Sequence, residues 1–230
     1  MPEKIASLIE NEISNFMTKD PYTIDNSNYY VRSQYFENNS YTNFYEKVDG
    51  MMERHKYRIR TYDESESRTM PVFLERKSRL LERTFKTRIQ IKTKDLGLIY
   101  NNRFDELLEI YNRETFLERF VFDCIRKRLR PMVLVDYQRS PYISEYDTNF
   151  RLTFDRNIQS STCSEKDSIF LNTSHWRRVN AGYCTLEVKF LRRFPPWFRR
   201  IIQHYDLKRI SISKFSTGME ACGLATDTGL

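Results

Sequence analysis

The chain has 230 residues, of which 38 are lysine or arginine and 31 are aspartate or glutamate, so its formal net charge is +7. Its few glycines and prolines exclude a collagen-like or disordered chain, and no run approaches the roughly 18 apolar residues that a membrane-spanning helix needs. Four widely spaced cysteines and an acidic N-terminal segment argue against a disulfide framework and a signal peptide, so we expect a cytoplasmic protein.

Apolar periodicity predicts an N-terminal helix followed by a series of strands. Ile5, Ile9 and Ile13 lie at helical spacing and predict a helix over residues 2–17. From Tyr29 the period becomes two, which predicts strands at 29–37, 42–48, 53–62, 71–78, 84–92, 132–140, 149–157, 183–191 and 208–215. A helical block over residues 103–129 interrupts the strands, a short helix follows residues 195–196, and loops are predicted at 62–69 and 159–168.

Charged side chains share one face in several of these strands, because residues two apart in a strand point the same way. The residues on these faces are Arg54, Lys56, Arg58, Arg60, Glu75, Lys77, Lys86, Arg88, Arg151, Asp155, Glu187 and Lys189. One such face is typical of an ordinary half-exposed strand with its polar side in water. Several together gather mostly cations, which repel at cross-strand spacing, so the sheet needs an anion there.

Two arrangements fit this excess of cations. One is an open basic sheet that binds nucleic acid, and the other is a closed antiparallel β-barrel with a charged interior and with helices packed outside. Glu75, Asp155 and Glu187 favour the barrel, since carboxylates repel nucleic-acid phosphates but can hold a divalent metal that bridges phosphate oxygens. We therefore predict an α+β fold of the barrel type and expect no nucleic-acid partner.

Nine short motifs then occur in a specific order. They are YYVRSQYFE, YEKVDG, RHKYRIRTY, FLERKS, FKTRI, DYQRSPY, FRLTFDRNI, TLEVKF and SKFSTG. In this order they resemble the VTC domain, the polyphosphate polymerase domain of the triphosphate tunnel metalloenzymes (the CYTH superfamily). The resemblance implies a single tunnel domain over residues 1–220 with a tail at 221–230, and transfer of the ATP γ-phosphoryl group to inorganic polyphosphate with Mn²⁺ or Mg²⁺.

The resemblance also implies roles for individual residues. The catalytic residues are expected to be Arg58, Arg60, Lys77, Arg139 and Lys214. The substrate-binding residues are expected to be Lys56, Lys86, Arg88, Arg151, Lys189 and Ser213. Glu187 is the expected metal ligand, with Glu75 as a second one.

The chain departs from the family pattern at two places. The family opens with a strand that carries a glutamate and a lysine, and this chain begins at the helix that follows, so we expect a weak or inactive enzyme. Ser211 stands where some members carry a second lysine. Two other functions of the same fold stay open: a triphosphate or polyphosphate hydrolase, in which water is the acceptor, and a non-catalytic polyphosphate-binding module.

Overall fold

The computed structural model describes residues 1–21, 28–63, 71–191 and 193–227. The chain divides into two compact units. The smaller unit comprises Met1–Tyr30, Tyr137–Ile158 and Asn180–Ile212, and the larger unit comprises Val31–Asp136, Gln159–Val179 and Ser213–Leu230. Both units combine antiparallel strands with helices, so the predicted α+β class is confirmed. The single domain over residues 1–220 and the tail at 221–230 stay predictions.

Among the residues that the structure describes, strands and helices occur in groups along the chain. The strands are β1 (Met17–Lys19), β2 (Tyr29–Glu37), β3 (Glu53–Thr61), β4 (Val72–Leu80), β5 (Arg83–Ile91), β6 (Arg130–Ser144), β7 (Arg151–Thr162), β8 (Arg177–Arg178) and β9 (Thr185–Lys189). The helices are α1 (Glu3–Ile13), α2 (Thr42–Val48), α3 (Leu96–Tyr100), α4 (Phe104–Ile110), α5 (Thr115–Lys127), α6 (Pro196–His204) and α7 (Lys214–Ala221). A short 3-10 helix at Thr93–Asp95 precedes α3.

In the larger unit the hydrogen-bonded strand order is β5-β4-β3-β2-β6-β7-β8. One end of this path is β5, and the other is β8, which has only two residues. Among the residues that the structure describes, no strand pairing joins these two ends. The prediction of a closed barrel is therefore wrong at the level of hydrogen bonding, and the sheet is open.

One face of the β3–β5 region is apolar and packs against helices. Tyr57, Ile59 and Leu74 are fully buried there, in one cluster with Leu117 and Phe120 of α5. Burying such side chains is the main favourable term in folding, at about 1.5–3 kcal/mol for each large apolar residue. The expected helical cover on the apolar face is thus present in the larger unit, and the opposite face carries the charges.

The smaller unit has its own core, and it contains residues 137–144 of β6 and 151–158 of β7. In it β1 pairs with β6, and β9 pairs with β7. Phe150, Leu152 and Phe154 pack against Ile9 of α1 and Phe198 of α6. The alternation predicted for residues 149–157 is therefore real, since these apolar residues lie opposite Arg151 and Asp155 on the strand. No helix among the described residues is long and apolar enough to cross a membrane.

Two predicted strands are wrong. Residues 42–48 form α2, because Phe44 and Val48 also suit a helix and because the buried Glu37 carboxylate accepts the backbone N–H groups of Asn43 and Phe44 at its start. Residues 208–213 form no strand, and α7 begins at Lys214 instead.

Three other boundaries also differ. The N-terminal helix ends at Ile13, ahead of β1. The helical block over 103–129 breaks between α4 and α5, where Asn112 and Arg113 have positive φ angles. Strand β7 runs to Thr162, into the loop predicted at 159–168, and most of the loop predicted at 62–69 lies outside the described residues.

A buried ion pair links β2 to β6 inside the larger unit. Arg32 donates from Nε and Nη2 to the two carboxylate oxygens of Asp136, at 2.9 and 2.7 Å. Its Nη1 also donates to the carbonyls of Ile169 and Leu171, and Trp176 covers the guanidinium. Removal of one member of such a pair leaves an uncompensated buried charge.

We therefore expect Arg32→Met to lower the free energy of unfolding by about 3–5 kcal/mol, measured by urea denaturation. The double variant Arg32→Met/Asp136→Leu should recover most of the loss, because no lone carboxylate remains. The control is Arg103→Met, which removes the exposed partner of Glu106 and should cost about 0.5 kcal/mol or less. A single-variant loss no larger than that of the control would contradict this role of Arg32.

Candidate phosphate-binding site

The strand register of the larger unit aligns its charged residues in rows. Arg58 of β3 faces Glu75 of β4, which faces Arg88 of β5. In the next row Lys56 faces Lys77, which faces Lys86. Residues paired in this way share a face of the sheet. The register therefore confirms the face that alternation predicted for β3, β4 and β5.

The Glu75 carboxylate is the centre of this face. Arg58 donates from Nε and Nη2 to Glu75 Oε2 at 2.8 and 2.6 Å, and the Lys86 Nζ lies 2.5 Å from Oε1. Arg60 contributes a third cation, with its Nε 3.9 Å from Oε2. Only 1% of the Glu75 side chain is exposed. Burial by itself would raise the pKa of Glu75, but Arg58, Arg60 and Lys86 outweigh it and hold the pKa at about 2.

Two residues of β2 hold the arginines from the other side. The Arg58 Nη1 donates to the Tyr35 hydroxyl at 3.0 Å, and the Arg60 Nε donates to the Ser33 Oγ at 3.1 Å. Neither residue was predicted from the sequence, because β2 has no run of charges, although the period of two places Ser33 and Tyr35 on one face. These contacts fix the guanidinium groups before any ligand binds.

The remaining cations of the larger unit differ in exposure. Lys77 and Lys86 are exposed, and Arg88 is exposed and lies over the ring of Phe73, 4.6 Å from its centre. Lys56 is more enclosed: its Nζ donates to the Ser213 Oγ at 3.2 Å.

Ser213 is the N-cap of α7, where its Oγ accepts the N–H of Ser216. Lys214 is the first residue of this helix, and its charge helps to lower the pKa of Tyr35 against the effect of burial.

The smaller unit has a second group of charges around Arg139. The Arg139 Nε and Nη2 donate to the two oxygens of the fully buried Asp155, both at 2.7 Å, and Nη2 also donates to the Glu187 Oε2 at 3.2 Å. Burial opposes the charge of Arg139, but Asp155 outweighs it with help from Tyr137 and Glu187, so the pKa of Arg139 is raised. Arg139 is thus positioned by carboxylates before any phosphate binds.

Two more predicted residues flank this group. Arg151 of β7 faces Lys189 of β9, and the Arg151 Nη2 donates to Asp20 at 2.5 Å. The predicted site residues therefore fall into two sets. The larger unit holds Lys56, Arg58, Arg60, Glu75, Lys77, Lys86, Arg88, Ser213 and Lys214, and the smaller unit holds Arg139, Arg151, Glu187 and Lys189. That all of them line one interior stays a prediction.

The two expected metal ligands have different surroundings. Glu75 contacts cations through both oxygens, so it does not fit as a metal ligand in this arrangement. Glu187 has a side chain that is 38% exposed, and its Oε2 accepts a hydrogen bond from Arg139 Nη2 at 3.2 Å. No group of three or more His, Cys, Asp or Glu side chains suited to a metal occurs within the described part of the chain. Glu187 thus fits an ion of the Mg²⁺ or Mn²⁺ type, which usually needs one or two carboxylates and takes other ligands from phosphates and water.

We expect Glu75→Gln to destabilise the protein at neutral pH by about 3 kcal/mol, from a pKa of about 2 against an ordinary 4.5. Because the native pKa is depressed, this stability is present above pH 4.5 and is lost as the pH falls towards 2. Thermal unfolding of the wild type and the variant between pH 7 and pH 3 measures this contribution. The plots of melting temperature against pH for the two proteins should converge as the pH falls. Parallel curves with a constant gap would contradict the charge interaction.

This chain is similar to a solved structure and matches a protein-family model. A crystal structure from Bacillus halodurans, described as a "putative adenylate cyclase", is similar to this chain with 12% identity and a TM-score of 0.46, over 90% of this chain and 88% of that one. The family model for the VTC domain matches residues 1–222, which is nearly the whole chain. This chain therefore belongs to the VTC domain family.

Proposed function

We propose that this chain is a phosphotransferase of the polyphosphate polymerase type, which transfers the γ-phosphoryl group of ATP to a growing polyphosphate chain. Family membership supports this proposal. The observation that carries it is the cation excess on the charged face of the larger unit, where many cations of β3, β4 and β5 lie around the Glu75 carboxylate. They include Lys56, Arg58, Arg60, Lys77, Lys86 and Arg88.

An anionic chain is the ligand that best matches this face. The rows Arg58–Glu75–Arg88 and Lys56–Lys77–Lys86 lie next to each other across β3, β4 and β5, so their cations form a two-dimensional array of positive charge. A polyphosphate carries about one negative charge on each phosphate and can neutralise several cations at once. Arginine suits a bidentate grip on two oxygens of one phosphate, while lysine supplies a point charge.

The chemistry requires little beyond this grip. In phosphoryl transfer the enzyme mainly aligns donor and acceptor and stabilises charge on the transferred group. The acceptor is a terminal phosphate, which is already anionic at neutral pH and needs no general base. Arg58 and Arg60, held by Tyr35 and Ser33, are the residues that we propose to orient the phosphates.

The other roles are proposed by motif. Arg139, Arg151 and Lys189 are assigned to phosphate oxygens, as are Ser213 and Lys214. Glu187 is assigned to a divalent ion that arrives with the nucleotide. When bound, such an ion shields the negative charge of the phosphate oxygens.

For Glu75 we replace the metal role by an electrostatic one. With both oxygens engaged by cations, it spaces Arg58, Arg60 and Lys86 apart and lets them stay charged side by side without a ligand. An incoming phosphate would compete with Glu75 for the same nitrogens. A phosphate therefore displaces Glu75 only if its interactions with these nitrogens are more favourable than the existing ion pairs.

A direct test is to incubate the purified protein with ATP and Mn²⁺ and to separate the products. Long polyphosphate is the result expected of a polymerase, whereas free phosphate would identify a hydrolase. Triphosphate binding without turnover would identify a binding module. Lys77→Met should reduce product formation at least about tenfold, if one charge contact to the transferred group is lost.

The matched control is Arg76→Met, which removes a cation from the same strand but from the opposite face, next to Tyr57. It should leave the product and its rate nearly unchanged. Equal losses in the two variants would show that total charge, and not this face, accounts for the effect.

Glu187→Gln should abolish turnover while changing triphosphate affinity by less than about threefold, because cations dominate binding and the carboxylate holds the metal. Product formation with Mn²⁺ and calorimetry with inorganic triphosphate measure the two effects. If Glu187 only balances Arg139, the variant should instead lose thermal stability and keep its rate. Near-normal turnover would therefore remove Glu187 from the metal site.

A further inference from the structure

The row of Lys56, Lys77 and Lys86 aligns three lysines across β3, β4 and β5, and Lys86 also contacts Glu75 of the neighbouring row. Each pair is in register across neighbouring strands. Directly opposed like charges are destabilising at the ~5 Å spacing of cross-strand side chains. The lysine that is most enclosed by protein has the least water to screen this repulsion, and in this row it is Lys56.

Residues of α2, α7, β2, β3 and β4 surround the Lys56 side chain. Its Nζ lies 4.3 Å from the ring centre of Phe215 and donates to Ser213, both at the start of α7. Arg54 of the same strand, Lys47 of α2 and Lys77 of β4 repel its charge, while Glu37 of β2 attracts it. Burial is the largest effect, and together with these cations it lowers the pKa of Lys56 to about 7.

Glu37 is held rigidly in this environment. It is fully buried, and its oxygens accept the backbone N–H groups of Asn38, Asn43 and Phe44, where α2 begins. Those hydrogen bonds keep the carboxylate from turning towards Lys56 to form a close ion pair. Glu37 therefore acts on Lys56 through its field, as a fixed negative charge on the far side from Lys77.

We propose that Lys56 takes up one proton when a polyphosphate anion binds to the lysine row, and that Glu37 is the positioning residue that keeps Lys56 protonatable. The proton comes from the buffer and forms the third N–H bond of the ammonium group. This inference rests on the proposed function, since it takes a polyphosphate as the ligand of the site.

The physical reason is linkage between charge and binding. Phosphate oxygens near Nζ favour the ammonium form, so the anion binds with its full affinity only to the protonated protein. Below pH 7 Lys56 is already charged, and the affinity is at its maximum. Above pH 7 each bound anion must also protonate Lys56, so the affinity falls by up to about tenfold per pH unit.

Calorimetry with inorganic triphosphate at pH 7.5, in two buffers of different ionisation enthalpy, counts the protons exchanged on binding. Compared with Lys56→Arg, which stays charged at every pH, the wild type should take up about 0.7 more protons per triphosphate. The ionisation of triphosphate itself is common to all variants and cancels in this difference. Lys94→Met, which removes an exposed lysine of the short 3-10 helix, should behave as the wild type does.

Glu37→Gln tests whether the charge of Glu37, and not only its hydrogen bonds to α2, acts on Lys56. It keeps an acceptor for the α2 amides but loses the charge, so the pH above which affinity declines should move down by about one unit. In Lys56→Arg the same substitution should produce no such shift. A merely structural role of Glu37 would instead lower affinity equally at every pH and in both backgrounds, and that result would overturn its positioning role.

The remaining outcomes also decide the question. Equal proton uptake in wild type, Lys56→Arg and Lys56→Met would overturn the inference while leaving the proposed function intact. Failure of inorganic triphosphate to bind the wild type at pH 6 would overturn both. A tenfold loss of affinity from pH 6 to pH 8 that is absent in Lys56→Arg would support the inference, whether or not the protein turns over ATP.

Discussion

The ion cluster around Glu75 is the interaction on which the charged face depends. One carboxylate, with 1% of its side chain exposed, is contacted by Arg58 and Lys86 and is near Arg60. Without it the three cations would repel one another across β3, β4 and β5, and with several carboxylates the face would attract no anion. A single buried negative charge thus lets the sheet fold with its cations in place and still leaves a net positive surface.

The opposite face of the same strands stabilises the fold through the burial of apolar side chains. Tyr57, Ile59 and Leu74 alternate with the charged residues and are completely buried against the helices. Their burial stabilises β3 and β4 in addition to the ion pairs on the charged face. The arginines are also held from β2, by Tyr35 and Ser33, before a ligand arrives. Such preorganisation lowers the entropic cost of gripping a phosphate.

The carboxylates of the two units play different parts. Asp155 and Glu75 are buried and bound to arginine or lysine, which makes them organisers of cations. Glu187 is more exposed and shares Arg139 with Asp155, and it is the carboxylate that we propose as a metal ligand. Glu37 differs again, because backbone amides hold it and its field acts on Lys56. These carboxylates therefore differ mainly in what surrounds them.

Alternation in the sequence was sufficient to predict the α+β class, most strands and the shared face of Arg58, Lys77 and Lys86, because a period of two is a local property of the chain. The ordered motifs were sufficient for the family. Tertiary structure decided what depends on distant partners: residues 42–48 became a helix under the Glu37 carboxylate, and the sheet stayed open between β5 and β8. It also brought Arg58, Arg60 and Lys86 around the Glu75 carboxylate, since these four residues belong to three strands whose register the sequence does not state.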